Sequence, residues 1–362
     1  MTIRNRRAPL LRWYRRHRRD LPWRRTRDPY AIWVSEVMLQ QTQVATVLPF
    51  YVRFLERFPD VAALAAATEE QVLAAWSGLG YYRRARLLRQ GARRVVSEHG
   101  GSIPDTVEGL LAIPGIGRYT AGAIASVAFA RAAPIVDGNV KRVFARWLAE
   151  PAPAPRRLWA LAAEIAPGAD PGDLNQALME LGATVCTPRT PRCGACPVSR
   201  TCAGRAAGAP ERFPAPAAAR PIRPVAAAVA LIVRRGRVLL ERRRPEGPLR
   251  GAWDLPARRI PSRRDGRDVL KAALAGDHGL DARDFSKAGV ARHAILDQRL
   301  TLSVYTATPS GRSPSPDLRW ASLAALAAEP VSGATLKILR ANGPGLPSIS
   351  GSAPKARSKP AP

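Results

Sequence analysis

A lone carboxylate, Asp137, lies within the apolar string P-I-V-D-G-N-V, eighteen residues after Tyr119. Tyr119 falls near the end of L-L-A-I-P-G-I-G-R-Y-T, where Gly115 and Gly117 separate an apolar run from a new helix start. Such a turn leaves backbone N–H groups free to point at an anion, as helix N-termini do for phosphate. An anion-gripping hairpin beside a partly buried acid suits chemistry on nucleic acid. The plainer reading is a tight helix–helix turn followed by an Asp-Gly turn. A second carboxylate, Glu36, sits upstream in D-P-Y-A-I-W-V-S-E-V-M-L-Q-Q-T-Q-V, among Trp33, Val34, Val37 and Met38. A Glu hemmed by apolar neighbours has a raised pKa and holds a proton near neutral pH, as a general acid must. At helical spacing Glu36, Gln40 and Gln43 make a narrow polar stripe. A Glu on a helix surface making a salt bridge is the alternative.

The chain's four cysteines, Cys186, Cys193, Cys196 and Cys202, fall within seventeen residues with spacing C-x6-C-x2-C-x5-C. No thiol is left elsewhere to build a disulfide framework. In a reducing compartment four such soft ligands bind a metal or a cluster. Structural zinc usually takes two C-x2–4-C pairs. The uneven spacers favour a cubane iron–sulfur cluster, with zinc as the alternative.

The elements that position these residues differ along the chain. The first 205 residues read as helical, with runs at Tyr30–Leu48, Val61–Ala67, Gln71–Trp76, Tyr82–His99, Thr120–Ala130 and Asn139–Ala149. Residues 206–224 are rich in Pro and Ala and read as a linker. Residues 225–340 change to an α+β pattern. There V-A-A-A-V-A-L-I-V and R-V-L-L-E-R-R, joined by a Gly-bearing turn, read as a hairpin. A helix at Val269–Gly276 and strands at Gly289–Ile295 and Arg299–Thr306 follow, and residues 341–362 read as disordered.

A formal net charge of +29 calls for an anionic partner, although a GC-rich coding bias also raises Arg, Ala and Pro together. Residues 1–25 alone hold ten Arg against one acid, Asp20. The sequence has neither an apolar run long enough to span a membrane nor a secretory h-region, so a cytoplasmic or nuclear location is expected.

Taken together, the hairpin, the following carboxylate and the cysteine loop resemble the endonuclease III superfamily of helix-hairpin-helix DNA glycosylases over about residues 8–205. The resemblance implies a [4Fe–4S] cluster on the four cysteines. That cluster would shape a loop whose Arg189, Arg192, Arg200 and Arg205 face phosphates, without acting as the catalyst. Bifunctional members of the superfamily carry a lysine nucleophile just after the hairpin, where this chain has Tyr119, which cannot form an imine. Lys141 suits a phosphate contact instead. The Glu36 string, L-P-W-R at 21–24, W-S-G-L-G-Y-Y-R-R-A-R at 76–86 and V-D-G-N-V-K-R resemble the adenine-specific mismatch glycosylases, the MutY family.

The resemblance implies that Glu36 protonates the departing adenine and then activates water, while Asp137 stabilises or traps the oxocarbenium-like sugar. Asn139 and Tyr119 would orient these groups. Gln41 and Tyr81 match intercalating positions, and Trp23 and Arg24 would line the adenine pocket. The substrate implied is double-stranded DNA carrying adenine opposite 8-oxoguanine or guanine, bound by a monomer in the cytoplasm beside a bacterial nucleoid, or in a eukaryotic nucleus. R-R-R-P-E-G-P-L-R-G-A-W-D-L-P-A at 242–257 resembles the opening of a Nudix-like domain, yet the following helix lacks the acidic metal-binding cluster. That domain is expected to help recognise 8-oxoguanine. Ile295, Leu296 and Asp297 stand where many bacterial relatives have Phe-Ser-His, and an acid there would repel backbone phosphate.

Overall fold

The protein's computed structural model describes residues 3–216, 221–242, 253–261, 264–295, 297–311, 315–324, 326 and 331–342. Most of the Nudix-like opening string, Leu296 and the tail from residue 343 lie outside the described residues. The helical part runs α1 (Arg7–His17), α2 (Pro29–Leu39), α3 (Val44–Arg57), α4 (Val61–Ala66), α5 (Glu69–Ala75) and α6 (Arg83–His99). It continues through α7 (Val107–Leu111), α8 (Arg118–Val127), α9 (Gly138–Leu148), α10 (Pro155–Ile165), α11 (Pro171–Thr184) and α12 (Ala203–Ala206). Among the described residues no helix is long and apolar enough to cross a membrane.

Two compact units emerge, Met1–Ala67 with Leu87–Ala218 and Thr68–Arg86 with Ala219–Pro362. Residues 68–86 thus fall with the second unit, an interleaving absent from a linear division at 205 and 225. The linker is also more tightly held than its composition suggests. Ala215 N donates to Pro151 O at 2.7 Å, and Arg146 Nε donates to the carbonyls of Pro210 and Phe213.

In the first unit, α2 starts where Asp28 accepts from the Tyr30 and Ala31 amides and Pro29 fills the first turn. Every residue from Tyr30 to Met38 is buried, so α2 is a core helix with no solvent face. The single long helix expected over 30–48 is in fact two, because Gln41 takes a left-handed φ of 58° between α2 and α3. Glu36, Gln40 and Gln43 therefore do not share one helical stripe. Helix α11 contributes Leu174, Ala177, Leu178 and Leu181 to a core shared with α1, α9 and α10.

Among the described residues the second unit holds α5, two four-stranded sheets and the helices α13 (Gly266–His278) and α14 (Gly333–Asn342). One sheet has the order β5-β1-β7-β6, built from β1 (Arg223–Leu231), β5 (Ala257–Arg259), β6 (Asp281–Ile295) and β7 (Gln298–Ser310). In the other, β3 (Arg237–Arg242) pairs with β2 (Val233–Arg234), β4 (Trp253–Asp254) and β8 (Leu318–Ser322). The expected hairpin forms at its tip, where Val233 and Arg234 pair antiparallel with Val238 and Arg237 across Arg235–Gly236, but not along the length of β1. Strand β1 runs parallel to β7, and only the two-residue β2 pairs back on β3. Alternate β1 residues enter opposite cores, Ala227 and Val229 on one side and Ala228 and Ala230 on the other. A strand covered on both faces reads as unbroken apolar sequence, which hides its partner.

Candidate active site

Glu36 lies in the core of the first unit with 7% of its surface exposed. The Tyr119 hydroxyl donates to Glu36 Oε2 at 2.7 Å and lies 3.0 Å from Met179 Sδ. Burial raises the Glu36 pKa to about 7, opposed by the Tyr119 hydrogen bond and reinforced by the charge of Asp137. Tyr119 is pushed well above the usual phenol range by burial and then by the two carboxylates, so it stays a donor. Asp137 caps α9: Oδ1 accepts from Val140 N at 2.7 Å, and Oδ2 accepts from Asn139 Nδ2 at 2.9 Å. Burial raises the Asp137 pKa, against the pull of those donors. Helix α8 approaches the strand-like approach to Asp137 closely, since a Cβ on Gly122 would sit 2.3 Å from Pro134 O. A buried carboxyl, Glu36, a half-buried one, Asp137, both with raised pKa, and a fixed phenol thus share one site.

The structure adds residues that the sequence reading passed over. Arg142 Nη2 donates to Asn139 Oδ1 at 2.8 Å and to Gly182 O at 2.7 Å, while its Nε donates to Cys186 O at 2.8 Å. The Asn139 amide is thereby oriented from the first turn of α9. Glu180, 1% exposed on α11, is gripped by Arg19 at 2.8 and 2.7 Å and by Arg24 at 2.8 Å. Burial pushes Glu180 up, but the Arg19 and Arg24 hydrogen bonds outweigh it and hold the pKa at about 2. A lone acid inside A-L-M-E-L-G-A was the available signal. Arg24, whose charge reaches Glu36, is held by this acid.

Trp23 is buried edge-on against Tyr51, with ring centres 5.3 Å apart. Gln41 is exposed at its left-handed position, and Lys141 is exposed on α9. The hairpin lies between α7 and α8. Gly115 has φ +85°, and a Cβ there would meet Leu87 Cβ at 2.7 Å; around Gly117 a Cβ would meet nothing within 4 Å. Arg118 stacks over Trp159 at 3.8 Å. Tyr81, in the second unit, is 43% exposed at φ 49°.

All four cysteines are free and line one pocket with Arg146, Trp147, Leu181 and Val185. Among the described residues no three potential ligands converge tightly enough for a single metal ion. The 1%-exposed Arg146 donates to Cys186 Sγ at 3.2 Å and to the carbonyls of Thr187 and Pro188, with no carboxylate in salt-bridge reach among the described residues. A buried cation without a carboxylate partner fits a group that brings negative charge to the thiolates. Arg189, Arg192, Arg200 and Arg205 are exposed around the loop.

In the second unit Asp297 sits in the β6–β7 turn, its carbonyl accepting from Arg223 N and its carboxylate 3.4 Å from Arg223 Nε. The charge expected to repel phosphate therefore has a local partner. His293 is half-buried on β6, and burial lowers its pKa. On α13, where a Nudix hydrolase needs acids for magnesium, Asp277 is paired with Arg258, which also holds Glu241.

Residues 34–167 match the HhH-GPD superfamily of base excision DNA repair proteins, and residues 228–341 match the NUDIX domain. The adenine DNA glycosylase of Homo sapiens is 38% identical over 399 residues, covering 92% of this chain and 73% of that protein. The chain belongs to the adenine DNA glycosylase family. The adenine DNA glycosylase of Mycolicibacterium smegmatis is 48% identical over 215 residues, covering 58% of this chain and 72% of its own. A solved thermostable thymine-DNA glycosylase superposes with a TM-score of 0.53 at 30% identity, covering 57% of this chain and 97% of its own. The human adenine DNA glycosylase match spans both units, so the α+β module belongs to the family likeness as much as the helical one.

Proposed function

We propose that this chain is a monofunctional DNA glycosylase that hydrolyses the N-glycosidic bond of adenine paired with 8-oxoguanine or guanine, opening base excision repair. The observation that carries the reading is the Tyr119–Glu36 hydrogen bond beside Asp137. A carboxyl with a pKa near 7 is protonated in a useful fraction at neutral pH and is sited to protonate a leaving base. Tyr119 fixes Oε2, leaving Oε1 to carry the proton. Asp137, held by Val140 and Asn139, meets the positive charge that develops on the sugar as the base departs. Glu36, then ionised, takes a proton from the water that completes hydrolysis. Adenine reaches Glu36 only after leaving the stack, at a cost of about a few kcal/mol. The exposed Gln41 and Tyr81, each held left-handed, are suited to fill the gap, while Trp23 and the Glu180-held Arg24 wall the base site.

The hairpin amides at Gly115 and Gly117, with Lys141, would grip the DNA backbone. Cys186, Cys193, Cys196 and Cys202 would hold a [4Fe–4S] cluster, whose thiolate ligands line the pocket and whose negative charge suits the buried Arg146. When bound, it supplies a rigid anionic core for the loop and takes no part in bond breaking. The enzyme is proposed to act as a monomer on double-stranded DNA. Base-release assays on duplexes with adenine opposite 8-oxoguanine, G, C and T test the reading, with borohydride trapping in parallel. Release opposite 8-oxoguanine and G without a trapped adduct is expected. A high-yield covalent adduct would restore a lyase mechanism.

A further inference from the structure

Tyr81 presents a large aromatic face to solvent on a residue whose left-handed backbone costs about 1 kcal/mol. Such strain persists only where the surroundings over-determine it. Here Trp76 Nε1 donates to Gly80 O at 3.1 Å. Arg84 Nη2 reaches the carbonyls of Leu79 and Gly80 at 3.4 and 3.3 Å, and its guanidinium lies over the Trp76 and Tyr81 rings. The turn is in turn anchored at one atom. Tyr82, 1% exposed, donates its hydroxyl to Val331 O at 2.6 Å, and Ser77 Oγ donates to the same oxygen at 3.2 Å. Two side-chain donors on one carbonyl occupy both its lone pairs and fix the turn in rotation as well as distance.

Val331 is itself held firmly. It bridges Trp253 of β4, and the next residue, Ser332, donates from Oγ to the buried Asp254 at 2.6 Å. Thr335 of α14 donates to the same Asp254 oxygen. The Tyr81 turn is therefore held by residues of the α+β module, the unit with which residues 68–86 group.

We propose that Tyr82 is a positioning residue that makes the α+β module the seat of Tyr81, so that discrimination of the base opposite adenine depends on the Tyr82–Val331 bond. This rests on the reading of Tyr81 as the residue that stacks into the duplex. Loss of the one hydroxyl leaves the Tyr82 ring in its core and frees the turn to tilt. The stacking of Tyr81 then weakens while Glu36 and Asp137 are untouched.

The test uses full-length protein and duplexes carrying a non-cleavable adenine analogue, with 2-aminopurine beside the opposite base as a fluorescent reporter of insertion. Single-turnover release of adenine opposite 8-oxoguanine and opposite G is measured alongside. For Tyr82→Phe we expect loss of the fluorescence change and a roughly tenfold smaller preference for 8-oxoguanine, at a nearly unchanged melting temperature. Tyr81→Ala separates the two ideas. A wild-type signal in Tyr81→Ala overturns the stacking role, and with it this inference. A signal lost in Tyr81→Ala but retained, with full preference, in Tyr82→Phe overturns the Tyr82 role alone. Should Tyr82→Phe fold poorly, Ser77→Ala removes the weaker donor to the same carbonyl. A partial loss of signal is expected there, and wild-type behaviour overturns the inference.

Discussion

Burying Glu36 beside Tyr119 weakens the fold whenever that carboxyl ionises, and the sign of the effect follows from its pKa. Below pH 4.5 the folded and unfolded chains both hold the proton, and Glu36 contributes nothing. Between pH 4.5 and about 7 the unfolded chain ionises first, so stability falls as pH rises, by about 3 kcal/mol in all. Glu36→Gln cannot ionise and should recover that amount at pH 8 while abolishing base release. Denaturant unfolding at pH 4 and pH 8 checks this, and an equal response of both proteins to pH would show that Glu36 is not buried as described. The same residue sets the activity profile. Base release should decline as pH rises through about 7, and Asp137, raised by burial, should set the acid limb. Because the Tyr119 hydrogen bond lowers the Glu36 pKa, Tyr119→Phe should move the basic limb to higher pH. A limb that stayed in place, measured under single-turnover conditions, would separate Tyr119 from Glu36.

At the scale of elements, the hairpin and the cysteine loop each hang on one residue. Gly115→Ala puts a Cβ at 2.7 Å from Leu87 Cβ at φ +85° and should cost about 1–2 kcal/mol. Duplex affinity should then fall roughly tenfold because the hairpin amides are re-aimed. Unchanged binding in a fluorescence anisotropy titration would place the DNA grip elsewhere. Arg146→Met removes the buried cation at Cys186 and should lose iron and visible absorbance from purified protein. Full iron content in that variant would sink the electrostatic fit. These two elements were legible in sequence because their signals are local: glycines in a short turn, and thiols within seventeen residues. The break at Gln41 was not, since neither Gly nor Pro marks it and its left-handed φ is imposed by the surrounding packing. Glu180 and Arg142 were missed for a related reason. Glu180 meets Arg19 from far away in sequence, and Arg142, although i+3 from Asn139, is locked by Gly182 and Cys186 forty or more residues on, where no spacing rule brings them together. The hairpin tip at Arg235–Gly236 was legible from its turn residues, whereas the pairing of β1 with β7 was not, because burial on both faces erases the alternation that reveals a partner.

For the whole molecule, a net charge of +29 suggests a grip on DNA spread over the surface, yet the structure distributes that charge unevenly. Most of the N-terminal arginines are committed within the protein. Arg19 and Arg24 hold Glu180, and Arg15 pairs with Asp170. Arg25 pairs with Asp20, Arg6 bonds Thr201, and Arg7 binds the carbonyls of Ile165 and Ala166. Part of that density scaffolds α1, α11 and the base site, while Arg15 and Arg25 stay more than half exposed in their pairs. Exposed cations around the hairpin and the cysteine loop are the further source of phosphate contacts. Replacing Arg189 and Arg200 together by Gln should lower the slope of log affinity against log salt by about two, since each neutralised phosphate contributes about 0.9. The rate of base release from fully bound DNA should stay near wild type, because neither residue approaches Glu36 or Asp137. A slope that does not change would mean that the cysteine loop packs against protein and not against the DNA backbone, leaving the hairpin as the main electrostatic contact.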